Sequence, residues 1–287
     1  MPARPSVSVD FHRNTEVGMF TSPWPSLEPY TPLSVPDLIQ TTVRRLPHKP
    51  ALITAEGTTY TYEQFWASVR GMARALQDIG LRKGDMLALY APNSVEYAVV
   101  LHGALLAGAT VTTLNPLYRE REVEHQLHDS GARFVFTLGA MVALVEAGRP
   151  QLPDLEAVFE LEHALEMAAA AGEPAPVAID PLEDIAVLPY SSGTTGLPKG
   201  VMLTHHNLTA NIRQTLALGM TGEGAVMLDI LPFYHIYGMM VLLNCGLAVG
   251  ATQINLPRIE PEVAMALIQA HRVTDLYCVP PVVLSLV

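Results

Sequence analysis

The chain has 287 residues, 49% of them hydrophobic and 16% charged, enough to bury a large core, which argues against a disordered chain. A formal net charge of -11 disfavours nucleic acid as a partner, because binding a polyanion relies on clustered Lys and Arg. No apolar run reaches the roughly 18 to 20 residues of a membrane-spanning helix, and residues 1–14 lack the pattern of a secretory signal, so a cytoplasmic protein with no membrane span is expected.

Pro2, Pro5, Pro23, Pro25, Pro29 and Pro32, with little periodicity between them, predict an extended arm over residues 1–32 and a folded domain over residues 33–287. Ser34 and Pro36 mark the start of a helix over residues 35–46, which Pro47 ends. Two β-prone runs, residues 51–55 and 58–62, flank Glu56-Gly57 and predict a hairpin. Thr61 and Gln64 have capping-box spacing, and Phe65, Val69, Met72, Ala73 and Leu76 follow at helical spacing until Gly80. A strand over 86–90, an apolar helix over 95–107 and a strand over 110–114 make a βαβ unit. A helix over 119–130, with Val123 and Leu127 inward, and a strand over 133–138 continue it. Residues 150–176 read as a weak helix and connecting loop. A buried strand over 185–190 leads into the Gly-rich run 191–200, which a helix over 207–218 follows. Strands over 225–231, 251–256 and 275–278 then alternate with helices over 239–249 and 261–271, and Pro280-Pro281 open a last, unfinished helix. The alternation predicts an α/β fold, a parallel sheet covered by helices, with ligand sites at the carboxyl ends of its strands.

The run Ser191-Ser192-Gly193-Thr194-Thr195-Gly196-Leu197-Pro198-Lys199-Gly200 has the chemistry of a phosphate loop. Gly193, Gly196 and Gly200 let backbone N–H groups approach anionic oxygens unobstructed by a Cβ, and they permit positive φ. Ser191, Ser192, Thr194 and Thr195 add hydroxyl donors, and Lys199 adds a mobile positive charge. In a Walker loop the Lys follows Gly and precedes Ser or Thr; here Pro198 precedes Lys199 and Gly200 follows, which sets that class aside. Read without its neighbours, such a run is equally a polar surface loop.

His235 lies on a loop over residues 232–237, directly after a strand and beside aromatics, where the ligand edge of the sheet falls. An imidazole there can donate to a carboxylate or phosphate oxygen, although a single His is as readily structural. Tyr237 is either a packed aromatic or a pocket wall. Cys245 and Cys278 sit in apolar sequence and read as two reduced, buried thiols. His205 and His206 have no accompanying ligand cluster, so they read as a cap on the following helix or an orienting pair for the loop, not as zinc ligands. Glu120, Glu122 and Glu124, mixed with Arg119 and Arg121, read as a solvated helix face.

From Tyr190 to Val201 the chain resembles, without a departure, the signature of the adenylate-forming superfamily, which includes acyl-CoA synthetases, 4-coumarate-CoA ligases, beetle luciferases and the adenylation domains of peptide synthetases. Thr61-Tyr62-Glu63, Lys83-Gly84-Asp85, Asn115-Pro116 and Leu203-Thr204-His205 look like family landmarks in family order. Leu231-Pro232-Phe233-Tyr234-His235-Ile236-Tyr237-Gly238 is similar to the second diagnostic motif, nearest to the 4-coumarate and fatty-acyl ligases.

The resemblance implies layered sheets with helices, the N-terminal AMP-binding domain, over residues 33–287. It also implies an acid-thiol ligase that uses ATP and Mg²⁺ to activate a carboxylic acid and coenzyme A as acceptor. Ser191, Ser192, Gly193, Thr194, Thr195, Gly196 and Lys199 would hold the phosphates, with Thr194 also at Mg²⁺. Lys199 and His235 would serve the reaction, His235 and Tyr237 would contact the acid, and Arg258 stands where the subfamily often has a Lys near the coenzyme A phosphates. The family's later motifs, an aromatic-Gly-x-Thr-Glu stretch, an Asp for the ribose, a hinge and the Lys of a small C-terminal domain, do not occur before Val287. An incomplete N-terminal portion, inactive alone, is therefore the expectation. A domain that loads a carrier protein and a non-catalytic interaction module stay open, as do the acid itself and the choice between monomer and homodimer.

Overall fold

Ser34 starts the first helix as the sequence predicts: its Oγ accepts from the backbone N–H of Asp37 at 3.2 Å, and Pro36 occupies the first turn of α1 (Val35–Arg45). The computed structural model describes residues 13–14, 19–20, 29, 31–191 and 198–285. It divides into two units, Met1–Thr31 and Pro32–Val287. In the first, β1 (Arg13–Asn14) and β2 (Met19–Phe20) pair antiparallel.

The second unit continues from α1 into β3 (Pro50–Thr54) and β4 (Thr59–Thr61), an antiparallel hairpin that turns at Gly57, whose φ of 94° a Cβ would strain. Thr61 and Gln64 cap α2 (Tyr62–Asp78) reciprocally: Gln64 N–H donates to Thr61 Oγ1 at 3.2 Å, and Thr61 N–H to Gln64 Oε1 at 2.9 Å. Next come β5 (Met86–Tyr90), α3 (Val95–Leu106), β6 (Thr110–Leu114), α4 (Glu120–Ser130), β7 (Phe134–Thr137), α5 (Gly139–Ala147), β8 (Ala157–Glu160) and α6 (Ala164–Ala170). The chain then forms β9 (Ile185–Val187), β10 (Tyr190–Ser191), β11 (Lys199–Gly200), β12 (Leu203–Thr204), α7 (His205–Ala217) and β13 (Val226–Asp229). A π-helical stretch, Gly238–Asn244, runs into α8 (Cys245–Val249), followed by β14 (Thr252–Asn255), α9 (Pro261–His271) and α10 (Pro280–Ser285).

Two sheets carry the unit. One has six strands in the order β12-β9-β6-β5-β7-β8, parallel except where β12 meets β9; the other has four in the order β13-β14-β3-β4, parallel except at β3 and β4. β6 and β7 are buried along their whole length, as interior parallel strands covered on both faces require. The buried threonines of β6 remain satisfied by donating outward: Thr110 Oγ1 to Ile185 O, Thr112 Oγ1 to Leu188 O, both at 2.8 Å, and Thr113 Oγ1 to Tyr234 O at 2.7 Å.

Several expectations change. The helix expected over 239–249 is π-helical up to Asn244, where the buried Asn244 side chain donates to Met239 O at 2.8 Å and competes inside the turn. The strand expected over 275–278 shrinks to one bridge, Met227 with Asp275, beside which the Thr274 hydroxyl accepts from the Val226 N–H at 3.0 Å. Residues 150–176 contain the strand β8 as well as a helix. Cys245 is buried, but Cys278 is only half-buried, and both are free thiols.

Candidate functional site

The Gly-rich run is delivered by β9, which lies beside β6: Val111 pairs with Val187, and Leu188 N–H donates to Val111 O at 2.8 Å. β10 then pairs antiparallel with β11, with Tyr190 opposite Gly200 and Ser191 opposite Lys199. Of the expected phosphate ligands, Ser191 and Lys199 are thus neighbours, both exposed, at the two ends of residues 192–197. Ser192, Gly193, Thr194, Thr195 and Gly196 lie outside the described residues. Gly200 is there for space: a Cβ would sit 3.1 Å from the Leu188 side chain and 3.2 Å from the Tyr190 ring. Its φ is not positive, which corrects that part of the expectation.

His235 is placed by a different set of contacts. Asn93, buried in the turn after β5, donates through Nδ2 to Asp229 O at 3.1 Å and Leu231 O at 2.9 Å, and its Oδ1 accepts from Phe233 N–H at 2.7 Å. One side chain therefore ties the first sheet to the loop after β13. Gly238 allows that loop to fold back, since a Cβ there would fall 2.2 Å from Pro232 O. His235 is exposed, and its Nδ1 accepts from Tyr237 N–H at 3.2 Å, which in the neutral ring puts the proton on Nε2. Tyr237 is half-buried against the core.

A cavity of about 830 Å³ opens at the carboxyl ends of β5, β6, β13 and β14, as parallel sheets favour. Asn93, Asn115, Ile230, Tyr234 and Arg258 are among its lining. Arg258 is exposed there; His235 and Tyr237 are not lining residues but follow Tyr234 directly in the chain. β6 links the parts, with Thr112 bonded to the strand before the Gly-rich run and Thr113 to Tyr234.

Sequence reasoning missed Asn93 and Asp229. The Asp229 carboxyl is fully buried at the end of β13, and its Oδ2 accepts from Asn255 Nδ2 at 2.6 Å. Burial pushes its pKa well above the usual carboxylate range. The His205 expectation needs correction: Thr204 caps α7, with Asn207 reciprocating, whereas His205 Nδ1 accepts from Val35 N–H at 3.2 Å and caps α1. Burial lowers the His205 pKa to about 4. Among the described residues no three His, Cys, Asp or Glu side chains gather as a metal site. Among the described residues, no helix is long and apolar enough to cross a membrane.

Residues 39–287 match the AMP-binding enzyme family. This chain belongs to that family. It is 36% identical over 261 residues to the 4-coumarate--CoA ligase of Pinus taeda, covering 83% of this chain and 46% of that protein. The fold matches the inhibitor-bound N-terminal domain of FACL13 from Mycobacterium tuberculosis with a TM-score of 0.81 at 25% identity, over 88% of this chain and 64% of that one. ATP-bound MatB from Rhodopseudomonas palustris is similar at a TM-score of 0.78 and 28% identity, over 88% of this chain and 51% of that one. The chain spans about half the length of the curated relatives it matches. The layered α/β fold of this AMP-binding chain is thus that of an acyl-CoA synthetase N-terminal domain.

Proposed function

We propose that this chain carries the ATP- and acid-handling face of an acid–CoA ligase. The observation that carries the reading is the antiparallel pairing that sets Lys199 opposite Ser191 at the ends of a Gly- and Thr-rich loop. A hydroxyl and a cation paired across one short ladder suit a polyphosphate, and ATP-bound MatB is among the similar structures.

In the proposed reaction a carboxylate oxygen attacks the α-phosphorus of ATP; an acyl adenylate forms and pyrophosphate leaves. The thiol of coenzyme A then attacks the acyl carbon, giving the thioester and AMP. The loop and Lys199 hold the outer phosphates, and His235 donates from Nε2 to the reacting carboxylate. Tyr237 packs the acid, Arg258 meets a coenzyme A phosphate at the rim of the cavity, and Thr194 is the proposed protein donor to Mg²⁺. Magnesium when bound shares the charge of the phosphates.

Calorimetric titration of the 287-residue chain with ATP and Mg²⁺ tests this reading. Binding is expected, with Lys199→Ala weakening it roughly tenfold, the loss of one charge-assisted contact. No ATP binding, or unchanged affinity in K199A, overturns it. Pyrophosphate exchange against aromatic, medium-chain and long-chain acids, expected to be absent in this chain and restored in a longer one, then identifies the acid class. Adenylation without transfer to free coenzyme A would move the acceptor to the thiol of a carrier protein.

A further inference from the structure

The solvated face of α4 reaches both ends of the Gly-rich run. Tyr190, immediately before the run, donates its hydroxyl to Asp129 Oδ2 at 2.5 Å. Pro198, near the end of the run, accepts at its carbonyl from His125 Nε2 at 3.2 Å. A carbonyl only accepts, so Nε2 carries the proton. His125 also stands edge-on to the Tyr190 ring, with centroids 6.5 Å apart and planes at 87°. His125 and Asp129 are four residues apart and therefore share one face of the helix.

The helix is a firm base for these contacts. Val123 and Leu127 are buried beneath it, and Gln126 donates to Thr112 Oγ1 at 2.9 Å and Thr113 O at 3.1 Å, which joins α4 to the centre of the six-stranded sheet. On its far side His125 faces an open cavity of about 550 Å³ lined by Arg121, Glu124, His128 and Gln151. Packing on that side does not lock the ring; Pro198 and Tyr190 orient it. The β10–β11 ladder has two residue pairs, Tyr190 with Gly200 and Ser191 with Lys199, and so short a ladder is a weak hold on a loop. Burial and the neighbouring Asp129 carboxylate raise the Tyr190 phenol pKa, so it remains a donor.

We propose that His125 and Asp129 are positioning residues: α4 clamps the entry and exit of the Gly-rich loop and thereby sets its affinity for ATP without touching the nucleotide. The proposal rests on the reading of that loop as an ATP phosphate site. Binding of a polyanion is tighter when the groups flanking its site are fixed beforehand, and α4 holds Tyr190 and Pro198 in this way.

The test uses the whole chain and the variants His125→Ala, His125→Gln and Tyr190→Phe, with ATP and Mg²⁺ titrated by calorimetry and unliganded thermal unfolding followed in parallel. H125A and Y190F are each expected to weaken ATP binding roughly five- to tenfold, the scale of one lost hydrogen bond. The melting temperature without ligand should stay within about 2 °C, as for surface changes. H125Q, which keeps a donor for Pro198 O, should recover affinity to within about twofold. ATP binding by the wild type that is equal in H125A and Y190F overturns the clamp and leaves the phosphate site standing. A loss that H125Q does not recover, accompanied by a fall in melting temperature, overturns it in favour of ordinary destabilisation. No ATP binding by the wild type overturns the phosphate-site reading and the clamp with it.

Discussion

His205 and Asp229 are buried titratable groups that tilt stability against pH in opposite directions. His205 is neutral in the fold because it is buried and must accept the Val35 N–H, and its pKa of about 4 lies below the ordinary 6.5. Between those values the unfolded chain binds a proton that the native chain refuses, so this contribution is full above pH 6.5 and is lost as pH falls toward 4. The total is on the order of 3 kcal/mol. His205→Asn, which retains an acceptor, is expected to flatten the fall in melting temperature between pH 6.5 and 4, as circular dichroism would show. The raised Asp229 acts the other way: its contribution is complete below the unfolded carboxylate pKa and declines as pH rises. Asp229→Asn should remove that decline, visible in the same melts as pH rises above the ordinary carboxylate range. The sequence marked His205 as a capping residue, but the helix it caps begins 170 positions earlier, a pairing that no local spacing encodes.

At the scale of elements, helix starts were legible and helix contacts were not. Thr61 with Gln64 could be read because a capping box closes within three residues, as the structure bears out. Gly71 lies inside the same helix with no turn to justify it. Its reason is α6: a Cβ at Gly71 would fall 2.1 Å from Ala168 O, a backbone atom that cannot swing aside. Gly71→Ala should therefore force the two helices apart and cost about 1–3 kcal/mol, measured from the denaturant midpoint. Gly172→Ala, with nothing within 4 Å, is the control and should change stability by less than about 0.5 kcal/mol. The π-helical stretch escaped sequence reading for a related reason: the Asn244 side chain, brought inside by packing, donates to the Met239 carbonyl and competes with the backbone there.

Across the whole second unit, Asn93 ties the turn after β5 in one sheet to the loop after β13 in the other. Asn93→Ala would leave Asp229 O, Leu231 O and Phe233 N–H without this partner in a buried place, a loss of at least about 2 kcal/mol. Because His235 hangs from that loop while Lys199 belongs to the separate β10–β11 ladder, N93A is expected to lower affinity for the acid more than it lowers ATP affinity, both read by calorimetry. Equal losses in both measurements would refute this division of labour.

By itself the sequence determined the alternation of strands and helices, the helix caps and the family. Each of these is written in neighbours a few residues apart, where backbone geometry and hydrophobic period act directly. The tertiary structure alone decided that the strands divide between two sheets, with β3 joining β14 although about 200 residues separate them. It also decided that Asn93 anchors the His235 loop, and that α4 reaches both flanks of the phosphate run. Those partners are selected when distant apolar faces are buried together, and buried polar groups must then find whichever donor or acceptor the packing brings to them.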